Sequence, residues 1–255
     1  MLTRHKNIKA HCIQYLLKLL NFSLPRVCAV CANKSERNFD LCRKCQHELP
    51  RIQHGCRYCG KPLDKHAMLC GHCLKVKPYF DETIVPFHYQ SPISNLITEL
   101  KFKRKLYNSV VLGVLLAKHL KKQKNLEQPD LIMPVPLHKK RLRERGFNQA
   151  LEIARLVSKH LQIPLDYQSC VRVRHTTAQA SIHAKERKHN IKNAFEVIKP
   201  LRAKHIAIID DVMTTGATLN ELAKVLHQQG ASEISNWVVS RVLLDHSQTQ
   251  SSTQF

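Results

Sequence analysis

The sequence predicts an α/β domain, a mostly parallel sheet flanked by helices, preceded by a small domain built on cysteine knuckles. Three observations carry this. From residue 80 onward, short apolar runs of strand length alternate with segments of helical periodicity, as in a parallel sheet with crossover helices. One such run, Ile206 to Ile209, leads into two acids, a Gly/Thr loop and a new helical face. Eight of the ten cysteines form four Cys-x-x-Cys pairs: Cys28/Cys31, Cys42/Cys45, Cys56/Cys59 and Cys70/Cys73.

At 255 residues the chain can bury one sizeable core and carry a second small domain. Forty-one Lys and Arg against nineteen Asp and Glu give a formal charge of +22, more than solubility needs and suited to a polyanionic partner. From residue 201 on there are four basic and five acidic residues, so the whole surplus lies earlier. A solvated basic surface is the competing reading.

The first segment, 1–24, reads as helical: Ile13 to Leu20 is apolar but interrupted by Gln14 and Lys18. It is too short to span a bilayer and lacks a small-residue cleavage site, so a cytoplasmic protein without a transmembrane segment is expected. The knuckles occupy 25–78. In each half two pairs are separated by ten residues, a spacing that offers four thiolates to one tetrahedral ion. Two structural zinc ions are expected, with Cys28, Cys31, Cys42 and Cys45 on one and Cys56, Cys59, Cys70 and Cys73 on the other. A crossed pairing stays open, and disulfides are the weaker reading for a cytosolic chain. Four thiolates and one Zn(II) carry about −2, so two sites leave about +18 of the formal +22.

The α/β domain spans 79–245. Phe80 to Tyr89 reads as a strand. A helix with Ile93, Leu96, Ile97 and Leu100 on one face and a second around Val111, Val114 and Leu115 follow. Leu131 to Met133 is a strand running into Pro134-Val135-Pro136, where the prolines force a turn. A basic loop, Lys139 to Arg145, precedes Asn148, which caps a helix with Ala150, Ile153, Ala154 and Val157 on one face. Strands near 169–173 and 194–198 flank a long polar segment, Arg174 to Lys192, a candidate lid whose competing reading is a plain hairpin loop. A last strand covers Ile234 to Val239, and the polar tail 246–255 is expected to be disordered.

The chemistry is concentrated in Asp210 to Leu219. A helix N-terminus offers free N–H groups, Gly216 lets the backbone approach an anion closely, and Thr214, Thr215 and Thr218 add hydroxyl donors beside Ala217. That suits a phosphate. Asp210 and Asp211 can accept hydrogen bonds from vicinal hydroxyls or hold magnesium through water. Together they suggest a ribose phosphate.

This stretch resembles the phosphoribosyl-pyrophosphate motif of type I phosphoribosyltransferases, matched from Ala207 to Leu219 without a gap. With the four knuckles, Pro134-Val135-Pro136, Arg145-Gly146-Phe147-Asn148-Gln149, Thr176 with Gln179, Arg187 with Asn190, and Phe195, nearly the whole chain is similar to the ComF/GntX family. One departure is Thr177, where that family often has proline. The resemblance implies a type I phosphoribosyltransferase fold behind a double zinc ribbon, with phosphoribosyl pyrophosphate and magnesium as ligands. It implies that Asp210, Asp211 and Arg187 carry catalysis, and that Val135, Pro136, Arg145, Thr176, Gln179, Asn190 and Thr214 to Thr218 bind the ligand. Lys101 stands in a Leu-Lys-aromatic step that recurs in the family. A role in natural transformation or DNA utilisation is implied too, with single-stranded DNA as partner beside a DNA-translocating ATPase at the inner face of the membrane. A non-catalytic precursor-sensing DNA-binding module and an ordinary phosphoribosyltransferase of nucleotide salvage are the competing functions.

Overall fold

The computed structural model describes residues 26–35, 39–124, 126–175 and 191–243. The chain divides into two compact units, 1–48 and 49–255. The expected segment 1–24, the tail 246–255, and Thr176, Gln179, Arg187 and Asn190 lie outside the described residues.

In the first unit a turn closed by the antiparallel bridge Val27–Lys34 leads to helix α1 (Arg43–His47). Its described interior is Phe39, Leu41, Cys28 and Cys45, too little apolar surface to hold a fold without a metal.

The second unit begins with the second knuckle pair, a turn closed by the bridge Gly55–Pro62, and helix α2 (Gly71–Lys75). This segment is built into the sheet domain. Thr83 N–H donates to the Arg57 carbonyl at 2.8 Å, and Ile52 belongs to the domain core. Gly60 has φ +64°, and a Cβ there would stand 2.5 Å from Val85 Cγ1, so both conformation and contact require glycine.

The remaining elements follow the expected alternation: β1 (Glu82–Ile84), β2 (Phe87–His88), α3 (Ile93–Lys103), α4 (Tyr107–Leu120), β3 (Leu131–Pro134), α5 (Lys139–Arg145), α6 (Gln149–Leu161), β4 (Cys170–Arg172), β5 (Phe195–Val197), β6 (His205–Met213), α7 (Ala217–Gln228) and β7 (Glu233–Arg241). The main sheet runs β1-β7-β6-β3, with β2 also on β7, and every pairing in it is parallel. β4 and β5 form a separate antiparallel pair at the two ends of 173–194.

Three expected elements differ in detail. The strand expected over Phe80 to Tyr89 is two pieces, because Pro86 has no N–H for the ladder. The basic stretch 139–145 is helical rather than a loop. His138 Nδ1 accepts from Lys140 N–H at 3.2 Å, and Gly146 at φ +88° ends the helix. The acid-bearing strand does not stop at Ile209: β6 pairs with β7 as far as Met213↔Arg241, so both aspartates lie on the strand itself. Helix α4 is buried almost all round, which explains its weak amphipathic pattern in the sequence.

Candidate functional site

The two aspartates are neighbours on β6 and their carboxyls act directly on each other. Asp211 is 2% exposed and is met from α3 and α6. Lys101 Nζ lies 2.5 Å from its Oδ2, and Gln149 Nε2 donates to Oδ1 at 3.3 Å. Arg145 in turn donates to Gln149 Oε1. Asp210 Oδ1 accepts from the Asp211 N–H at 2.9 Å, and its carboxyl lies against that of Asp211, with the Lys101 and Arg172 charges also acting on it.

Burial raises both carboxyls, but with opposite outcomes. At Asp211 the Lys101 charge and hydrogen bonds outweigh burial, and the group titrates below its usual range. At Asp210 burial is joined by the neighbouring Asp211 charge, and the group is held well above its usual range. The two acids are therefore chemically unequal before any ligand arrives.

Lys101→Met should destabilise the second unit by about 3 kcal/mol, the usual cost of leaving a buried charge without its partner. Urea unfolding at pH 7 measures this. Because Asp211 is lowered in the folded state, its contribution is present above the unfolded range near about 4 and fades as pH falls through the folded value. The difference between parent and variant should shrink with acid. A variant as stable as the parent at pH 7 contradicts the ion pair.

The anion cradle follows β6. Gly216 is the N-cap of α7 at φ +81°, and a Cβ there would stand 2.5 Å from Met213 Cε. The helix has no side-chain cap from that position, and Thr215 Oγ1 accepts only from Ala217 N–H, at 3.3 Å. No side chain from the N-cap takes the first-turn N–H groups, the arrangement in which a helix start receives an anion. Thr214 and Thr215 are half-buried.

Val135 and Pro136 lie at the end of the neighbouring strand β3, level with the start of the acid pair. Val135 N–H donates to the Ile209 carbonyl at 2.9 Å, and its own carbonyl accepts from Asn148 Nδ2 at 3.0 Å. Asn148 Oδ1 caps α6 by accepting from Ala150 N–H. One asparagine thus fixes both the turn after β3 and the start of the helix that delivers Gln149. Arg145, at the end of α5, completes the described wall.

Arg241 is the residue that sequence reasoning missed. It is buried at the end of β7, beyond the expected strand, and its guanidinium donates to the carbonyls of Met213 (3.1 Å), Thr214 and Val242 (2.7 Å). Its Nε donates to the Cys59 carbonyl at 2.8 Å. One side chain thus ties the root of the cradle to the third cysteine knuckle, Cys56/Cys59. An arginine two residues past the apolar run Trp237-Val238-Val239 was the available signal.

The cysteines fit two metal centres. In each sequential set, Cys28, Cys31, Cys42, Cys45 and Cys56, Cys59, Cys70, Cys73, all Sγ atoms lie within 4.8 Å of one another. Cys31–Cys42 and Cys59–Cys70 stand at 3.7 and 3.6 Å, against the edge of about 3.8 Å that a tetrahedron with Zn–S of about 2.3 Å requires. Burial opposes ionisation of Cys28 and Cys70, but amide and thiol hydrogen bonds outweigh it and bring them to about 6 and about 7. Burial and the neighbouring thiolates push Cys45, Cys59 and Cys73 up. A divalent cation relieves that crowding.

A model described as double zinc ribbon domain matches residues 19–74, and one described as phosphoribosyl transferase domain matches 148–251. The chain is 37% identical to "Competence protein F" of Haemophilus influenzae over 207 residues, covering 79% of this chain and 90% of that protein. It is 32% identical to "DNA utilization protein YhgH" of Escherichia coli K12 over 225 residues, covering 87% and 99%. "Competence protein ComFC" of Bacillus subtilis is 26% identical over 221 residues, covering 79% and 84%. Paired cysteine knuckles, a parallel sheet ending in an acid pair and a glycine-capped cradle, and relatives matched over nearly their full length place this chain in the ComF/GntX family.

Proposed function

We propose that this is a cytoplasmic phosphoribosyltransferase-like protein that binds phosphoribosyl pyrophosphate and handles single-stranded DNA in natural transformation or DNA utilisation. The observation that carries it is the α7 N-terminus with glycine as its N-cap, on the turn that follows the strand bearing Asp210 and Asp211. The cradle takes the 5′-phosphate on its N–H groups and threonine hydroxyls. Asp210 accepts from the ribose hydroxyls. Arg145, on the α5–α6 wall, meets the pyrophosphate. A magnesium ion would be held through water at the carboxylate pair and would neutralise charge on the leaving pyrophosphate.

In the transfer the anomeric C–O bond breaks with its electron pair going to pyrophosphate, and an acceptor lone pair forms the new bond at the same carbon. Lys101 keeps Asp211 ionised, and that fixed negative charge stabilises the positive charge developing on the ribose ring. Arg187, with Thr176, Gln179 and Asn190, belongs to the lid in this reading and excludes water from the centre.

The division into a ribbon over 25–78 and a transferase-like domain over 79–245 is part of this proposal, with two zinc ions holding the ribbon. So is a place beside a DNA-translocating ATPase at the inner face of the membrane. Among the described residues no helix is long and apolar enough to cross a membrane.

Pyrophosphate release from purified protein with magnesium, in the presence of a free base, a nucleoside or an oligonucleotide, tests the reading. Acceleration by one acceptor class is expected. Binding of phosphoribosyl pyrophosphate without release under any condition leaves the precursor-sensing module as the function, and absence of binding defeats both. On the DNA side, affinity for a short oligonucleotide should fall by at least about tenfold between 50 and 200 mM salt, since several phosphates are neutralised. Fluorescence anisotropy measures this, and salt-independent binding would sink it.

A further inference from the structure

The turn joining α3 to α4 exposes three large side chains within six residues: Phe102 (72%), Leu106 (49%) and Tyr107 (42%). Both flanking helices are otherwise packed, with Leu96, Ile97, Leu100, Leu112 and Leu116 fully or almost fully buried. The exposure is held in place rather than frayed. Arg104 takes the left-handed conformation and its N–H donates to the Glu99 carbonyl. Asn108 N–H donates to the Lys105 carbonyl at 3.0 Å, and Asn108 Nδ2, itself buried, donates to the Leu96 carbonyl at 3.1 Å. Such a patch on a fixed turn marks a surface for a partner.

Charge selects the partner. Lys103, Arg104 and Lys105 stand between Phe102 and Tyr107 in the chain, and the carboxylate of Glu99 takes both lysines, at 3.2 and 2.9 Å. The Arg104 guanidinium donates to the Glu144 carbonyl at 2.9 Å, which sets this turn against α5 and its exposed Lys139, Lys140 and Arg143. From α5 the contacts continue inward through Arg145 and Gln149 to Asp211 and back to Lys101, the residue before Phe102. The exposed aromatic turn, the basic helix and the carboxylate pocket are therefore contiguous. Aromatic faces flanking a run of cations are what an unpaired strand needs, since its bases stack while its phosphates are neutralised.

We propose that residues 102–107 and α5 form a track for single-stranded nucleic acid along the rim of the pocket, with Phe102 and Tyr107 as stacking faces for unpaired bases. The inference rests on the DNA-handling reading above and names the surface that serves it. It also brings the strand within reach of the centre where phosphoribosyl pyrophosphate is proposed to bind.

The test uses the full-length, zinc-loaded protein and two oligonucleotides of equal length, oligo-dT and an abasic analogue with the same phosphates. The parent should prefer oligo-dT. Phe102→Ala and Tyr107→Ala should each lower oligo-dT affinity by roughly tenfold, leave the salt dependence unchanged and remove most of the preference over the abasic strand. Replacing Lys139, Lys140 and Arg143 together by Gln should lower affinity for both strands alike and flatten the log–log salt slope by about 0.7 for each phosphate no longer neutralised. If the parent binds neither oligonucleotide, the DNA-handling reading itself falls. If the parent binds but Phe102→Ala and Tyr107→Ala keep its affinity and its preference, the DNA surface lies elsewhere and the track is wrong. Variants that alter only the sedimentation of the free protein would show that a second copy of the chain covers the patch, and would overturn the proposal equally.

Discussion

Asp210→Asn combined with Asp211→Asn is expected to weaken phosphoribosyl-pyrophosphate binding by about 100-fold while the domain stays folded. Two charge-assisted hydrogen-bonding groups are lost, each worth about 1.5–3 kcal/mol, yet every cation and the whole cradle remain. The fold tolerates the change because an asparagine at 211 can still accept from Gln149, and Lys101, whose side chain is 22% exposed, can turn to solvent. Titration calorimetry with magnesium reads the affinity, and near-ultraviolet circular dichroism reads the fold. Oligonucleotide affinity should hold or rise slightly, because the Asp211 charge leaves a cationic protein, and any rise should shrink with added salt. If the double variant binds the ligand as tightly as its parent, the cradle is not a phosphoribosyl site. The single variants should differ from each other. Asp210→Asn leaves the Lys101–Asp211 ion pair in place, whereas Asp211→Asn removes the partner of Lys101.

Metal removal should separate the two cysteine centres. Purified protein is expected to contain about two zinc ions, with Cys28→Ser and Cys70→Ser each losing one. Their consequences should diverge. The first set belongs to the unit 1–48, and its loss should unfold that unit and leave ligand affinity near the parent's. The second set sits within the unit that carries the cradle, and Cys59 offers its carbonyl to Arg241, which holds the carbonyls of Met213 and Thr214. Cys70→Ser should therefore lower the affinity for phosphoribosyl pyrophosphate by at least about tenfold, the scale of losing one or two hydrogen bonds that position a binding loop. Arg241→Met should reproduce that loss with both metals in place, which distinguishes a positioning role from general unfolding. Metal content at or below about one ion would replace the two-site arrangement with a single shared centre. Equal ligand affinities for the two cysteine variants would refute the link through Arg241.

Much of the site was legible because it is local. The cradle is one continuous strand-turn-helix, so the order of acids, glycine and threonines along the chain is also their order in space. Each cysteine set closes within eighteen residues, and a tetrahedral ion reads such spacing directly. Helices α3, α6 and α7 announced themselves through a repeating apolar face, and Asn148 through its place just before one. The errors in detail were also local. A seven-residue run rich in Lys and Arg has no apolar face to mark it as helix, and a carboxylate pair reads as the end of a strand unless the partner strand is known to run on beside it.

The sequence by itself determined the class of fold, the two sets of four cysteines and the phosphate-type loop after an acid pair, since each rests on residues close enough in the chain for spacing to specify geometry. Only the tertiary structure decided how those acids differ. Lys101 lies more than one hundred residues before Asp211 in the chain, and nothing local specifies that they meet. Their pairing follows from a layer in which α6 packs on β6, α4 on α6 and α3 on α4, which leaves one aspartate ionised against a lysine and the other protonated more readily beside it. The same holds for Arg241 between the cradle and the Cys59 carbonyl, and for Arg104 against α5. Such contacts come from parallel pairing and layer packing across the sheet, where sequence separation carries no information about distance.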